Sequence, residues 1–212
     1  MSNARPLPLL KRNLVLQVIV NNAGYIITGF FADSTVEAQI KNAETNAMSC
    51  IRITHHFLNK MLDAGVKGCI GFTSSPSGMI PCPSSVMYGC TKAFLTEFGM
   101  SLAGEVYSSG IDVLVVHPSP TTGNSRFYDA NKSSKLAAVE FFRKTGGSPN
   151  SIASCFLKGF GRTVVFDQGY FSLGAKLGLK LFDVSLLALM IQRVTHFGGD
   201  FKKLYKPRKS KQ

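Results

Sequence analysis

No run of eighteen uncharged apolar residues occurs in this chain. The nearest candidate, Leu173 to Ile191, is broken by Lys176, Lys180 and Asp183, which argues against a spanning helix. The apolar core of a signal peptide is also missing: Met1 to Asn13 is polar, basic and broken by prolines, so residues 1–13 are expected to form an irregular leader. Cysteine is sparse and odd in number, at positions 50, 69, 82, 90 and 155. That spacing fits no metal site, so no metal is expected and the thiols read as reduced, with Cys69 and Cys155 as small core residues. Acidic side chains are few, 12 against 24 lysines and arginines, for a net charge of +12. Six of the basic residues fall between Lys202 and Lys211, so the excess reads first as a solvated tail over 197–212. Its functional readings are a membrane surface carrying anionic lipid, or an anionic substrate such as an acyl-CoA. No RNA- or DNA-binding module signature is present, which excludes nucleic acid from the expected partners. There is no internal repeat and no low-complexity segment.

What is there suffices for one domain, expected over 14–196, with a sizeable core. Its chemistry is concentrated between Thr73 and Lys92. Tyr88 and Lys92 stand four residues apart, and if Ser84 or Ser85 caps a helix running through Phe98 to Val106, both lie on one face. An ammonium about 5 Å from a phenol favours the phenolate by about 3 kcal/mol at an effective dielectric of about 20. That brings Tyr88 towards general acid/base work near neutral pH. Ser75, thirteen residues upstream, follows the apolar run Gly68 to Phe72, where a hydroxyl could hydrogen-bond a substrate oxygen beside the phenol. A Tyr-x-x-x-Lys pair alone is weak, since tyrosines on amphipathic helices are usually core edges. The pair gains weight from Ser75, from Asn21-Asn22-Ala23-Gly24 at the end of an earlier apolar strand, and from Asn46 inside the next helix.

Through Asn21 to Gly24, Asn46, Ser75, Tyr88-Gly-Cys-Thr-Lys92 and His117-Pro118-Ser119, the sequence resembles the short-chain dehydrogenase/reductase superfamily over residues 14 to 125. The tail and the segment after His117 are loosely similar to its membrane-associated 3-oxoacyl-CoA and 17β-hydroxysteroid reductases. The resemblance implies an oxidoreductase with NADP or NAD as cofactor and a small apolar carbonyl or alcohol as substrate. Tyr88 would be the acid, Lys92 its modulator, Ser75 the group that orients the carbonyl, and Asn46 part of a proton relay. Asn22, Ala23, Gly24, Tyr88, Lys92, Pro118 and Ser119 would contact the cofactor. Ser119 stands where the family usually has glycine beside the nicotinamide. The family further implies a substrate lid over 123–150 and a homo-oligomer through the Tyr88 helix, while residues 169–212 read either as a helix covering the substrate pocket or as a helix on a membrane surface with the lysine tail beside it. The expected location is the cytoplasm or the cytosolic face of the endoplasmic reticulum.

The family's Gly-rich cofactor turn, Thr-Gly-x-x-x-Gly-x-Gly, does not occur in this sequence, and its first strand matches the family's fourth. The expected fold is therefore α/β, the carboxyl-terminal part of a Rossmann-like doubly wound parallel sheet with the first three strands missing. Either the sequence is incomplete or it is a cofactor-free remnant serving as an interaction or membrane-surface protein. Strands are expected at Leu14–Val20, Lys67–Phe72, Ile111–Val116 and Arg162–Phe166. A helix should start at Ser34 with Glu37 completing a capping box, run to Leu62 and stop at Gly65. Ser109-Gly110 should close the Tyr88 helix. Further helical pieces are expected over Ser134–Lys144, after Ser148-Pro149, and as one or two amphipathic helices from Gly169 to His196. His55 and His56 read as surface or partly buried residues.

Overall fold

A computed structural model describes residues 16–121 and 137–204. The leader, the start of the expected first strand, the expected lid before residue 137 and the end of the basic tail lie outside the described residues. Four strands, β1 (Val18–Asn21), β2 (Gly68–Thr73), β3 (Ile111–Pro118) and β4 (Val165–Gln168), form one parallel sheet in that order. The register pairs Val18 with Cys69, Ile70 with Val113 and Val116 with Phe166. Parallel neighbours require crossovers, and the helices between the strands supply them.

Between β1 and β2 run α1 (Val36–Ala43), a π turn (Glu44–Met48) and α2 (Ser49–Asp63); α3 (Val86–Val106) joins β2 to β3. On one face of the sheet Ile19, Ile70, Phe72, Val113 and Val115 meet Cys50 and Met61 of α2 and Leu95, Leu102 and Val106 of α3. On the other, Leu114 and Val116 pack on Cys155 and Phe156 of α5 (Pro149–Gly159). No described element covers that second face at β1, where Val18 and Val20 are 53% and 42% exposed. Nor does a described strand pair with the outer edge of β1. The remaining helices are α4 (Ala137–Thr145), α6 (Gly169–Leu181), α7 (Val184–Thr195) and α8 (Gly199–Leu204).

Several ends differ from the expectation. Thr35, not Ser34, caps α1, its side chain accepting from the Ala38 amide at 3.2 Å; its extended backbone aims the hydroxyl back at the first turn. The long helix is not uniform, because the π turn interrupts it at Glu44–Met48. Ser85 precedes α3 but bonds the Ser84 carbonyl at 2.8 Å and caps nothing with its side chain. β4 lies later than expected, since a left-handed Gly161 (φ 70°) turns the chain just before it. Gly65 and Gly110 stop their helices as expected, both at positive φ. His55 and His56 are exposed.

The approach of α3 to the sheet depends on Gly99, where a Cβ would lie 2.4 Å from Val115 Cγ2 and 3.1 Å from Phe72 Cδ2. Both neighbours are fully buried and cannot move aside. Gly99→Ala should therefore lower unfolding free energy by about 1–3 kcal/mol, measured by chemical denaturation. An unchanged or raised midpoint would show that α3 is not seated on β3 in this way.

Candidate active site

The carboxyl ends of β1, β2 and β3 and the first turns of α3 meet around a cavity of about 1330 Å³. In an open parallel sheet this is where ligands bind. Ser75, Tyr88 and Lys92 line it, as do Asn22, Ala23 and Gly24, and also Pro118 and Ser119. An apolar part of the wall comes from α7, through Leu187, Met190 and Val194.

Lys92 is almost wholly buried. Its Nζ donates to the Thr73 carbonyl at 2.6 Å and lies 5.6 Å from the centre of the Tyr88 ring. The ammonium and the phenol are thus neighbours at one hollow, as their spacing on one helix face requires. Burial pulls the Lys92 amine down from 10.5 to about 8, partly opposed by the Cys50 thiol. Charged at neutral pH, it loses its proton just above.

Ser74 and Ser75 both line the cavity, but their hydroxyls meet different partners. Ser74 Oγ turns inward, donating to the Lys92 carbonyl at 2.6 Å and meeting Thr96 Oγ1 at 2.8 Å. Ser75 lines the cavity, its Oγ accepting from the Ser77 amide at 3.2 Å at the head of a short 3₁₀ turn, Pro76–Gly78. That contact uses one lone pair and leaves the hydroxyl proton to donate.

Asn46 does not line the cavity; it is fully buried in the π turn, a device that recurs at functional sites because it turns a side chain out of helical register. Its amide clamps Tyr25 from both ends: Oδ1 accepts from the Tyr25 N–H and Nδ2 donates to the Tyr25 carbonyl, each at 2.9 Å. Nδ2 also reaches Thr91 Oγ1 at 3.3 Å, one residue before Lys92. Gly24 fits between the two, since a Cβ there would lie 3.1 Å from Asn46 Oδ1 and 3.6 Å from Lys92 Nζ. Asn22 Oδ1 accepts from Thr73 Oγ1 at 2.9 Å, tying the ends of β1 and β2 together.

The serine at the family's glycine position is accommodated. Ser119 N donates to the Gln168 carbonyl at 2.9 Å, and Ser119 Oγ accepts from the Ser172 amide at 3.2 Å. The hydroxyl is committed to the first turn of α6, where only a glycine at 169 leaves room: a Cβ there would meet Ser119 Oγ at 2.6 Å.

Sequence reasoning missed a second tier. Asn42, fully buried, donates to the Tyr25 carbonyl at 2.9 Å; its place four residues before Asn46 was the available signal. His117, also buried, bonds Asp167 through Nδ1 at 2.8 Å and Thr96 through Nε2 at 2.9 Å. Thr96 in turn donates to the Lys92 carbonyl at 3.0 Å, and Lys176 donates to Asp167. Burial pushes His117 below its usual range despite Asp167. Burial alone would raise the Asp167 carboxyl, but the bonds from Lys176 and His117 outweigh it and hold it below the usual carboxylate range. His117 was visible in the His117-Pro118-Ser119 motif after the expected strand, but nothing in that motif pointed to Asp167.

Residues 10–137, more than half of the chain, match the family model for short chain dehydrogenases. The chain is 35% identical over 106 residues to the uncharacterized oxidoreductase YvrD of Bacillus subtilis, covering 50% of this chain and 40% of that one. To the very-long-chain 3-oxoacyl-CoA reductase of Anas platyrhynchos it is 34% identical over 139 residues, covering 62% and 41%. The chain thus spans less than half the length of these relatives. A solved short-chain dehydrogenase from Streptomyces avermitilis shares the fold, with a TM-score of 0.68 at 23% identity over 89% of this chain and 73% of that one. The matched residues hold β1 to β3, α3 and every cavity residue from Asn22 to Ser119, and on that match the chain belongs to the short chain dehydrogenase family.

Proposed function

We propose that this site serves an NADP- or NAD-dependent oxidoreductase acting on a carbonyl or alcohol, with Tyr88 as its acid and base. The observation that carries the reading is the buried Lys92 ammonium beside the Tyr88 ring, at a cavity that Ser75 also lines. When bound, a nicotinamide supplies or accepts hydride. The residues present fit that end of the cofactor: Gly24 keeps bare backbone against Asn46 and Lys92, and Asn22, Ala23, Pro118 and Ser119 line the same space.

In the reducing direction Ser75 donates a hydrogen bond to the substrate carbonyl and holds it against Tyr88. The Tyr88 hydroxyl gives its proton to that oxygen, and the phenolate left behind is stabilised by the Lys92 ammonium. Asn46 fixes Tyr25 and the turn before Lys92, the position from which it would take part in returning the proton. Oxidation runs the same transfers backwards.

The apolar α7 wall favours a substrate with a hydrocarbon body, and an acyl or steroid-like carbonyl compound suits it. The name of the Anas relative points the same way. The exposed side of α3 would serve as the contact between copies, and residues 169–212 would meet a membrane, placing the protein in the cytoplasm or on the cytosolic face of the endoplasmic reticulum.

Titration of the chain with NADPH and with NADH, read by quenching of tyrosine emission, tests the cofactor step. Quenching that saturates at micromolar concentration is the expected result for one of the two. No response at millimolar concentration of either would overturn the reading in favour of a cofactor-free interaction protein.

A further inference from the structure

The helix that follows β4 presents its apolar residues to solvent. Along α6, Tyr170, Leu173, Leu177 and Leu181 recur at spacings of three and four, which places them on one side of the helix. They are 96%, 52%, 56% and 68% exposed, and Ser172 is the only buried residue of this helix. Phe182, Leu186 and Leu189 continue the exposure into α7. Scattered apolar residues on a surface need no explanation, but a row of them over one helix and into the next does.

The charge around this row selects its occupant. Between Gly169 and Gln212 there are nine lysines and arginines against two aspartates, Asp183 and Asp200. Lys176, Lys180, Arg193 and Lys202 are exposed on the helices from α6 to α8, and Lys176 is paired with Asp167. Two copies meeting through this face would bring like charges together. An anionic surface would attract this excess of basic residues. No helix among the described residues is long and apolar enough to cross a bilayer; an amphipathic helix can instead lie in the interface, apolar side down with lysines at the headgroup level.

We propose that α6, with the start of α7, is the docking face of this protein for an anionic lipid bilayer, and that Leu173 and Leu177 insert into it. This rests on the membrane reading of residues 169–212 and is independent of the reading of the site as an oxidoreductase.

The test is co-sedimentation of the full chain with phosphatidylcholine vesicles, with and without phosphatidylserine, alongside Leu173→Glu/Leu177→Glu and Lys180→Glu variants. Both leucines and Lys180 are exposed, so the variants should keep the wild-type circular dichroism spectrum and melting curve. The expected result is binding to phosphatidylserine-containing vesicles at least tenfold tighter than to phosphatidylcholine alone. The double leucine variant should lose at least tenfold, and Lys180→Glu should lose a smaller factor that disappears in high salt. Equal binding by the double variant and the wild type, or no sedimentation with either vesicle, overturns the proposal. So does a lipid-free dimer in sedimentation velocity that the leucine substitutions dissolve, because the face would then belong to a second copy. A cofactor titration unchanged by the same substitutions keeps this outcome separate from that of the active site.

Discussion

Tyr88→Phe should lower turnover of a carbonyl substrate by roughly 10²–10⁴-fold, the range general acid catalysis supplies, while the fold, read by circular dichroism, is kept. The substitution removes one oxygen and leaves the ring. The ring packs within the site, since Tyr88 is buried with the Lys92 ammonium 5.6 Å from its centre. A phenylalanine keeps that ring and its contact with the cation. What it cannot do is hand a proton to the substrate oxygen. Because the lost interaction belongs to the transition state, kcat and kcat/KM should fall together with KM little changed. The measurement is NADPH or NADH oxidation with a panel of aldehydes and ketones, beside binding of the cofactor by tyrosine emission. Turnover retained in the variant would remove Tyr88 from the chemistry.

The sequence made this pair legible for a physical reason. A spacing of four on a helix places two side chains together without knowledge of anything else in the fold, and the thirteen residues from Ser75 to Tyr88 span the end of a strand and the start of the next helix. The strands were legible from β-branched runs, and their ends were less so. β1 begins at Val18 and β4 at Val165, because register against a neighbour, not composition, decides where pairing starts.

The partners of the site were illegible where they come from distant parts of the chain. Asp167 meets His117 across fifty residues, and neither carries a local pattern announcing the other. The π turn at Glu44–Met48 hid inside a run with helical period, since one extra residue per turn barely disturbs the spacing of apolar positions. Asn46 was visible as a polar residue in that run, but its grip on both ends of Tyr25 depends on the turn. The amphipathic segment after Gly169 was read correctly as one helix or two. Which sides of α6 and α7 look outward is set by where β4 ends and the chain turns at Gly169 (φ 80°), and no period reveals that.

Lys92→Met should change how stability depends on pH, and this separates the buried cation from every other titrating group. In the folded chain burial lowers the Lys92 amine from 10.5 to about 8, whereas in the unfolded chain it titrates as an ordinary lysine. Between those two values the unfolded chain holds a proton that the folded chain has released. Unfolding free energy therefore rises with pH across that window. Below about pH 8 the full cost of a buried charge is present, and by pH 10.5 it is gone. At about 1.4 kcal/mol per pK unit, the difference is on the order of 3 kcal/mol. Methionine is unbranched like lysine and does not titrate, and all other ionisable groups are common to both proteins. Urea denaturation at a series of pH values from 7 to 10.5 should thus show the wild type gaining on the variant by about that amount, with no gain below pH 8. Parallel curves would mean that the amine is solvated in the folded chain and is not the neighbour that Tyr88 requires. The direction of the effect links stability to chemistry. Near neutral pH the protein keeps, at a cost of a few kcal/mol, a charge that an apolar side chain could replace. In the proposed mechanism the same charge is the one that stabilises the phenolate left by Tyr88, so activity and the cost of burying the ammonium should both decline as pH rises above about 8.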